Sequence, residues 1–238
     1  MRCSIILPTK NEEKLLPRVL ASIYAQDDAP EFEVIVADAY STDATRTIAT
    51  SFGAKVVDGG LPGPGRNAGA NHARFEWLIF FDADMELTPH LLADAMIALE
   101  AKRADFGTVR LLPDDPNVLD HLFHFVFHLW TWFLAPFRPH VPGGAFFVRR
   151  DAFASVGGFD ETVMFAEDMD LATRLSKAGK RFAYLSNLGV HVSMRRFHRD
   201  GYGVIAWRFI RAEWYMLTKG PIRHTELFPY EFDHAPRA

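Results

Sequence analysis

Two carboxylates, Asp82 and Asp84, follow the apolar run of residues 77–81. A hard divalent cation such as Mg2+ or Mn2+ takes one or two carboxylates together with water and phosphate oxygens. A D-x-D pair at a strand end therefore suits a cation that neutralises a diphosphate. The competing reading is two solvated loop carboxylates, one of them capping the next helix. Thr88 before Pro89 offers a better cap there. Asp38 likewise ends the run 34–37, where it can accept from a nucleobase N–H or hold a turn. Arg66 sits at the start of a helical pattern, placed to pair with a ligand phosphate. Glu167 and Asp168 open another helix, whose dipole keeps them ionised as simple end charges or as a general base. Gly143-Gly144 and Gly157-Gly158 allow close backbone approach to a ligand or make turns. His191, Arg195, Arg196, His198 and Arg199 form a solvated basic face or a set of phosphate contacts.

A rival chemistry lies in Gly63-Pro64-Gly65-Arg66-Asn67-Ala68, which fits the G-x-G-x-x-A dinucleotide fingerprint with Asp82 downstream as its acidic residue. Residues 58–62 separate it from the preceding strand, however. Pro64 also removes an N–H from the loop that should cradle pyrophosphate. A dinucleotide-dependent oxidoreductase thus stands as the alternative enzyme. A non-catalytic nucleotide-sugar or lipid-binding protein stands as the alternative from another class.

The elements that must position these groups alternate in period. Strand patterns at 4–7, 34–37, 55–57 and 77–81 alternate with helical patterns from Asn11 through Ile23, from Ser41 or Thr42 to Phe52, over 67–75, and from Thr88 to Ala101. This alternation predicts an α/β fold with a mostly parallel sheet covered on both faces. Ligands in such folds bind beyond the carboxyl ends of the strands, where Asp38 and Asp82 fall. Farther on, strands are expected at 106–112 and 144–148, and helices at 118–134, 167–178 and 202–217. With no linker or repeat in 238 residues, one domain (1–238) is expected. Its nucleotide-binding half spans 1–112 and its acceptor-side half 113–238.

A net charge of −4 gives no general attraction to nucleic acid. The lone cysteine, Cys3, excludes an intramolecular disulfide framework and fits a reducing, cytoplasmic setting. The apolar stretch ended by Pro8 is too short for a signal-peptide core. The unusual item is aromatic content: 21 Phe, 6 Tyr and 5 Trp.

Taken in order, these segments resemble the family 2 glycosyltransferases of GT-A fold. The resemblance runs over about 4–196. It rests on Ile5-Ile6-Leu7-Pro8-Thr9-Lys10-Asn11-Glu12, on the segment ending at Asp38 with Ser41-Thr42-Asp43, and on Gly65-Arg66-Asn67-Ala68-Gly69. Phe80-Phe81-Asp82-Ala83-Asp84, the segment 143–151 with Gly157-Gly158-Phe159-Asp160, and 166–171 with Arg174 complete it. The resemblance implies a nucleotide-sugar donor, a UDP-sugar before a GDP-sugar, and inverting transfer of one sugar to an acceptor hydroxyl. It implies that Thr9, Glu12 and Asp38 hold the nucleoside and that Arg66 contacts the nucleotide. Asp82 would touch ribose or metal, Asp84 would bind Mg2+ or Mn2+, and His191 would reach the metal or diphosphate. Asp168 would be the general base with Glu167 beside it, and Gly143, Gly144, Arg195 and Arg196 would line the substrate. Many members carry two adjacent carboxylates after the second strand; this chain has Asp38-Ala39-Tyr40. The Q-x-x-R-W motif of processive synthases is absent, which points to single addition.

Residues 118–137 hold Phe123, Phe125, Phe127, Trp130, Trp132, Phe133 and Phe137. His121, His124 and His128 share one helical face, as a metal site or as the polar stripe of an amphipathic helix. The apolar face would serve as core, as a homodimer contact, or as a surface lying on the inner face of a membrane near a lipid-linked or cell-envelope acceptor.

Overall fold

A computed structural model describes residues 1–60, 62–141 and 144–223. Strand β1 (Arg2–Thr9), helix α1 (Leu16–Tyr24), β2 (Glu31–Asp38), α2 (Thr45–Ser51), β3 (Lys55–Asp58), α3 (Pro62–Asn71) and β4 (Trp77–Phe81) alternate as the periodicity predicts. Then come β5 (Met85–Leu87), α4 (Leu91–Ala101), β6 (Phe106–Pro113), α5 (Val118–Leu134), β7 (Ala145–Arg149) and α6 (Arg150–Ser155). The described chain closes with α7 (Glu167–Lys177), β8 (Phe182–Val192), α8 (Arg195–Asp200) and α9 (Tyr202–Lys219). The strands form one sheet in the order β3-β2-β1-β4-β7-β6-β8-β5. β3, β2, β1 and β4 are mutually parallel, whereas β7 runs antiparallel between β4 and β6.

The central strands read as unbroken apolar runs because both faces are covered. On one face Ile5, Leu7 and Ile79 pack with Leu16, Leu20 and Ile23 of α1 and Leu92, Met96 and Leu99 of α4. On the other, Ile6, Leu78 and Phe80 pack with Phe153, Phe159 and Leu171. Part of the aromatic surplus is spent here. Phe80 meets Phe159 edge-on at 5.1 Å, and Phe81 meets Phe147 edge-on at 5.8 Å. Each fully buried Phe, Leu or Ile contributes about 1.5–3 kcal/mol before entropy is counted.

Several helix starts differ from expectation. Asn11 does not cap α1: it has φ 53°, and its Oδ1 accepts from the Thr42 N–H at 2.8 Å. Ser41 and Thr42 do not cap α2, which begins at Thr45. Ser41 Oγ instead accepts from the Asn11 N–H. These side chains cross-link the loops after β1 and β2 rather than closing a helix end. Thr88 does not cap α4 either; its hydroxyl donates to the Gly189 carbonyl. Helix α3 starts at Pro62, five residues earlier than expected, so Gly63 and Gly65 lie inside it.

Candidate active site

Helices and strands of the N-terminal half converge beyond the carboxyl ends of β1, β2 and β4. Thr9 and Asp38 are paired residues of adjacent strands, and both are buried. Thr9 Oγ1 donates to Asp38 Oδ1 at 3.2 Å. Asp38 also accepts from the Ser41 N–H at 3.0 Å and from Arg46 at 3.1 Å. Arg46 reaches Asp58 as well, at 3.0 Å, and so ties the ends of β2 and β3. The sequence reading missed Arg46. Its signal was weak, a cation in the first turn of α2 with no spacing rule to mark it.

Beside this pair, a cleft is lined by Thr9, Glu12, Gly60, Asp82, Asp84 and Arg196. A larger cavity of about 500 Å³ lies at the opposite, amino ends of β2 and β3. Its carboxylate, Glu33, is already engaged by Ser4 and Arg74, so we place no chemistry there. In the cleft, Glu12 accepts from Arg195 at 3.1 Å, and Arg195 lies 3.8 Å from Asp84. The Ser193 N–H donates to the Asp84 carbonyl at 3.0 Å, stitching the end of β8 to the D-x-D segment. Burial pushes the Asp84 carboxyl from 3.8 up to about 6. Arg196 opposes that rise, and the charges of Asp82 and Glu12 add to it.

Arg66 joins the two halves of the site. It is buried on α3, donates to Asp82 Oδ1 at 2.7 Å, and forms a close ion pair with Glu167 at the start of α7. Its guanidinium also lies over the Phe159 ring at 5.6 Å. Next to Glu167, Asp168 is buried, and its Oδ1 accepts from the Met169 N–H. The helix dipole does not keep it ionised as expected: burial first and the Glu167 charge second together raise its carboxyl to about 7, with Arg66 working against both. Such a carboxyl changes protonation near neutral pH, as a general base should. Gly144, with φ +88°, lies against Asp82, whose N–H donates to its carbonyl at 3.2 Å. Gly143 falls outside the described residues.

Residues 4–157 match the sequence model of the family described as Glycosyl transferase family 2. The chain belongs to this family. Among curated members, it is 32% identical over 120 residues to the poly(ribitol-phosphate) beta-N-acetylglucosaminyltransferase TarS of Staphylococcus aureus. That match covers 47% of this chain and 21% of TarS. It is 34% identical over 119 residues to the 4,4'-diaponeurosporenoate glycosyltransferase of Staphylococcus haemolyticus, covering 46% of this chain and 31% of that protein. The chain thus spans under a third of the length of these two relatives.

The fold is that of the GT-A glycosyltransferases. The structure of S. aureus TarS 1–349 in complex with UDP-GlcNAc superposes with a TM-score of 0.64 at 26% identity, over 81% of this chain and 58% of that one. The mannosyltransferase PcManGT of Pyrobaculum calidifontis, in complex with GDP-Man and Mn2+, superposes with a TM-score of 0.70 at 24% identity. That overlap covers 89% of this chain and 61% of that one, and at this identity it speaks for the fold alone.

For a family 2 glycosyltransferase the dinucleotide reading of residues 63–68 has no loop to stand on, since Gly63 and Gly65 are helical. Among the described residues, the trio of carboxylate and imidazole ligand atoms within 4.8 Å of one another is Asp115, Asp120 and His198, not Asp82, Asp84 and His191. His191 Nδ1 donates to the Pro113 carbonyl at 3.1 Å, a pairing that leaves Nε2 as the acceptor nitrogen. The histidines of α5 do not form a metal site. His124 turns inward to the Asp120 carbonyl, His128 bonds Tyr184, and His121 is exposed. Asn67 was another missed residue: its amide takes both the N–H and the carbonyl of Phe159, fixing the 157–160 turn beside Arg66.

Proposed function

We propose that this chain is an inverting glycosyltransferase that moves one sugar from a nucleoside-diphosphate sugar to an acceptor hydroxyl. The observation that carries the reading is the Arg66 bridge. Arg66 pairs with both the D-x-D carboxylate Asp82 and Glu167, the neighbour of Asp168, which supports reading these carboxylates as one site. Thr9, Asp38 and Glu12 would seat the nucleoside, with Arg195, Arg196 and Gly144 along the diphosphate and sugar. UDP-sugars are the first donors to try and GDP-sugars the second, as the complexes of TarS and PcManGT suggest by fold.

Asp168 takes the proton of the acceptor hydroxyl. The freed oxygen attacks the anomeric carbon, the bond from that carbon to the diphosphate oxygen breaks, and a nucleoside diphosphate leaves. No covalent sugar–enzyme bond is needed. Glu167 is held by Arg66 and so serves as the charge beside the base, not as the base. Asp82 and Asp84 offer the hard oxygens that Mg2+ or Mn2+ prefers, and His191 keeps Nε2 as a spare donor atom. When bound, the cation supplies positive charge for the departing diphosphate. The acceptor would be a glycan or a lipid-linked hydroxyl.

A panel of nucleotide sugars, assayed for hydrolysis and transfer with and without Mn2+, tests the reading. Metal-dependent turnover of a UDP- or GDP-sugar, lost in Asp168→Asn with donor binding kept, is the expected result. Binding with neither transfer nor hydrolysis would indicate a non-catalytic nucleotide-sugar protein instead.

A further inference from the structure

Helix α5 is built inside out. Its buried residues are Asp120, His124 and Thr131. Asp120 is fully covered; it accepts from His198 at 3.0 Å and, closely, from the Tyr202 hydroxyl. Thr131 bonds His140, and His128 bonds Tyr184. The outward face carries Leu122, Phe125, Val126, Leu129, Trp130 and Phe133. Helix α9 lies alongside and extends that face with Trp207, Ile210, Trp214 and Leu217. The two helices meet through Phe127 and Phe209 at 5.7 Å, and Arg138, just past the end of α5, pairs with Glu213 of α9 at 2.9 Å. Apart from Met1, Tyr24, Tyr40 and Ile97, every large exposed apolar side chain among the described residues lies on α5, on α9 or at Phe137. Exposed apolar surface gathered into one continuous face marks an interaction site.

Charge says what covers it. Neither helix exposes a carboxylate, because Asp120 is buried and Glu213 is mostly covered and paired with Arg138 and His140. Arg211 and Lys219 are exposed on α9. A second copy related by a twofold axis would set like-charged side chains near one another on helices that expose no carboxylate. An anionic lipid surface attracts exposed cations, and it suits interfacial Trp and Phe. Neither helix is long and apolar enough to cross a membrane.

We propose that the α5–α9 face docks on the surface of an anionic bilayer. The aromatic and aliphatic side chains enter the boundary between headgroups and acyl chains, and Arg211 and Lys219 face the headgroups. Docking needs neither donor nor metal, so it stands or falls separately from the transferase reading.

The test is co-sedimentation of the full chain with phosphatidylcholine vesicles and with mixed phosphatidylcholine–phosphatidylglycerol vesicles, with tryptophan emission recorded. Binding about tenfold tighter or more to the mixed vesicles, weakened by salt and accompanied by a blue shift, is expected. The exposed triple variant Phe125→Ser, Trp130→Ser, Trp214→Ser should abolish binding. Arg211→Glu with Lys219→Glu should erase the preference for phosphatidylglycerol. Retained nucleotide binding and circular dichroism check that these variants fold. No binding to either vesicle overturns the proposal, as does equal binding to both. A dimer that the triple variant splits, without vesicle binding, assigns the face to a second copy and also overturns it.

Discussion

Gly144 and Asp82 occupy a space with no room for another atom: a Cβ at 144 would lie 2.6 Å from Asp82 Oδ2 and closer still to the Met85 methyl. The Asp82 carboxylate has room where it stands because the residue just before β7 carries no side chain. From Asp82 the chain of contacts passes through Arg66 to Glu167 and the start of α7. One backbone position therefore sets Asp82, and one guanidinium couples it to the α7 carboxylate proposed to stand beside the base.

Gly144→Ala should damage both stability and donor binding. Its φ of +88° costs an L-residue about 1–2 kcal/mol. Asp82 and Met85 must also move. Gly157 provides the control: it too has positive φ, +77°, but nothing lies within 4 Å of its would-be Cβ. Urea denaturation of both variants should show the larger loss for Gly144→Ala, and calorimetry should show weaker nucleotide binding in that variant alone.

Arg66→Met should leave Asp82 and Glu167 without their shared cation. Removing one partner of a buried ion pair costs about 3–5 kcal/mol, and the lower end applies because Asp82 is partly solvated. Arg66→Lys restores the charge but not the two-armed geometry, so it should recover only part of that loss. Urea midpoints for the two variants check the order. If both match the parent, the bridge contributes nothing.

Asp84→Asn separates binding from stability. The buried carboxyl, pushed up to about 6, is costly to ionise beside Asp82 and Glu12. A neutral amide relieves that cost, so stability above pH 6 should hold or rise. Mn2+-dependent affinity for UDP or GDP should fall at least about tenfold, or about 1.4 kcal/mol. Chelation should reproduce the loss in the parent and change nothing in the variant. Unchanged affinity in Asp84→Asn would remove this residue from the metal site.

The parts of this fold that were legible in the sequence are those whose pattern is set locally. β1, β2 and β4 read as strands because both of their faces are buried, and α5 was expected at 118–134, where the structure has it, with Asn117 as its cap. The misread parts depend on partners far along the chain. Asn11, Ser41 and Thr88 look like helix caps by type, yet each bonds a loop or strand about 30 to 100 residues away. Strands β5 and β8 and helix α8 had no signal strong enough to be expected, although β8 and α8 bring Arg195 to Glu12. For the site, strand and helix ends located Asp38, Asp82, Asp84, Glu167 and Asp168, but not the Arg66 bridge between them. A salt bridge across 101 residues has no sequence spacing to betray it.

Asp168 gives the pH test. Its folded carboxyl is raised to about 7 from 3.8, chiefly by burial and then by Glu167. Between about pH 4 and pH 7 the folded state therefore binds more protons than the unfolded state. Stability contributed at this position is highest in acid, falls as pH rises through that window, and is flat above it. The rate runs the other way. A base must be ionised, so kcat/KM should climb with pH through an apparent value near 7. Asp168→Asn carries no titrating group, so it should lose both the stability slope and the transfer activity. Urea denaturation across pH 4–8 and initial rates over the same range read the two effects separately. A parent that keeps the stability slope but shows a flat rate profile would mean that Asp168 titrates without serving as the base, and Glu167→Gln would become the variant to examine.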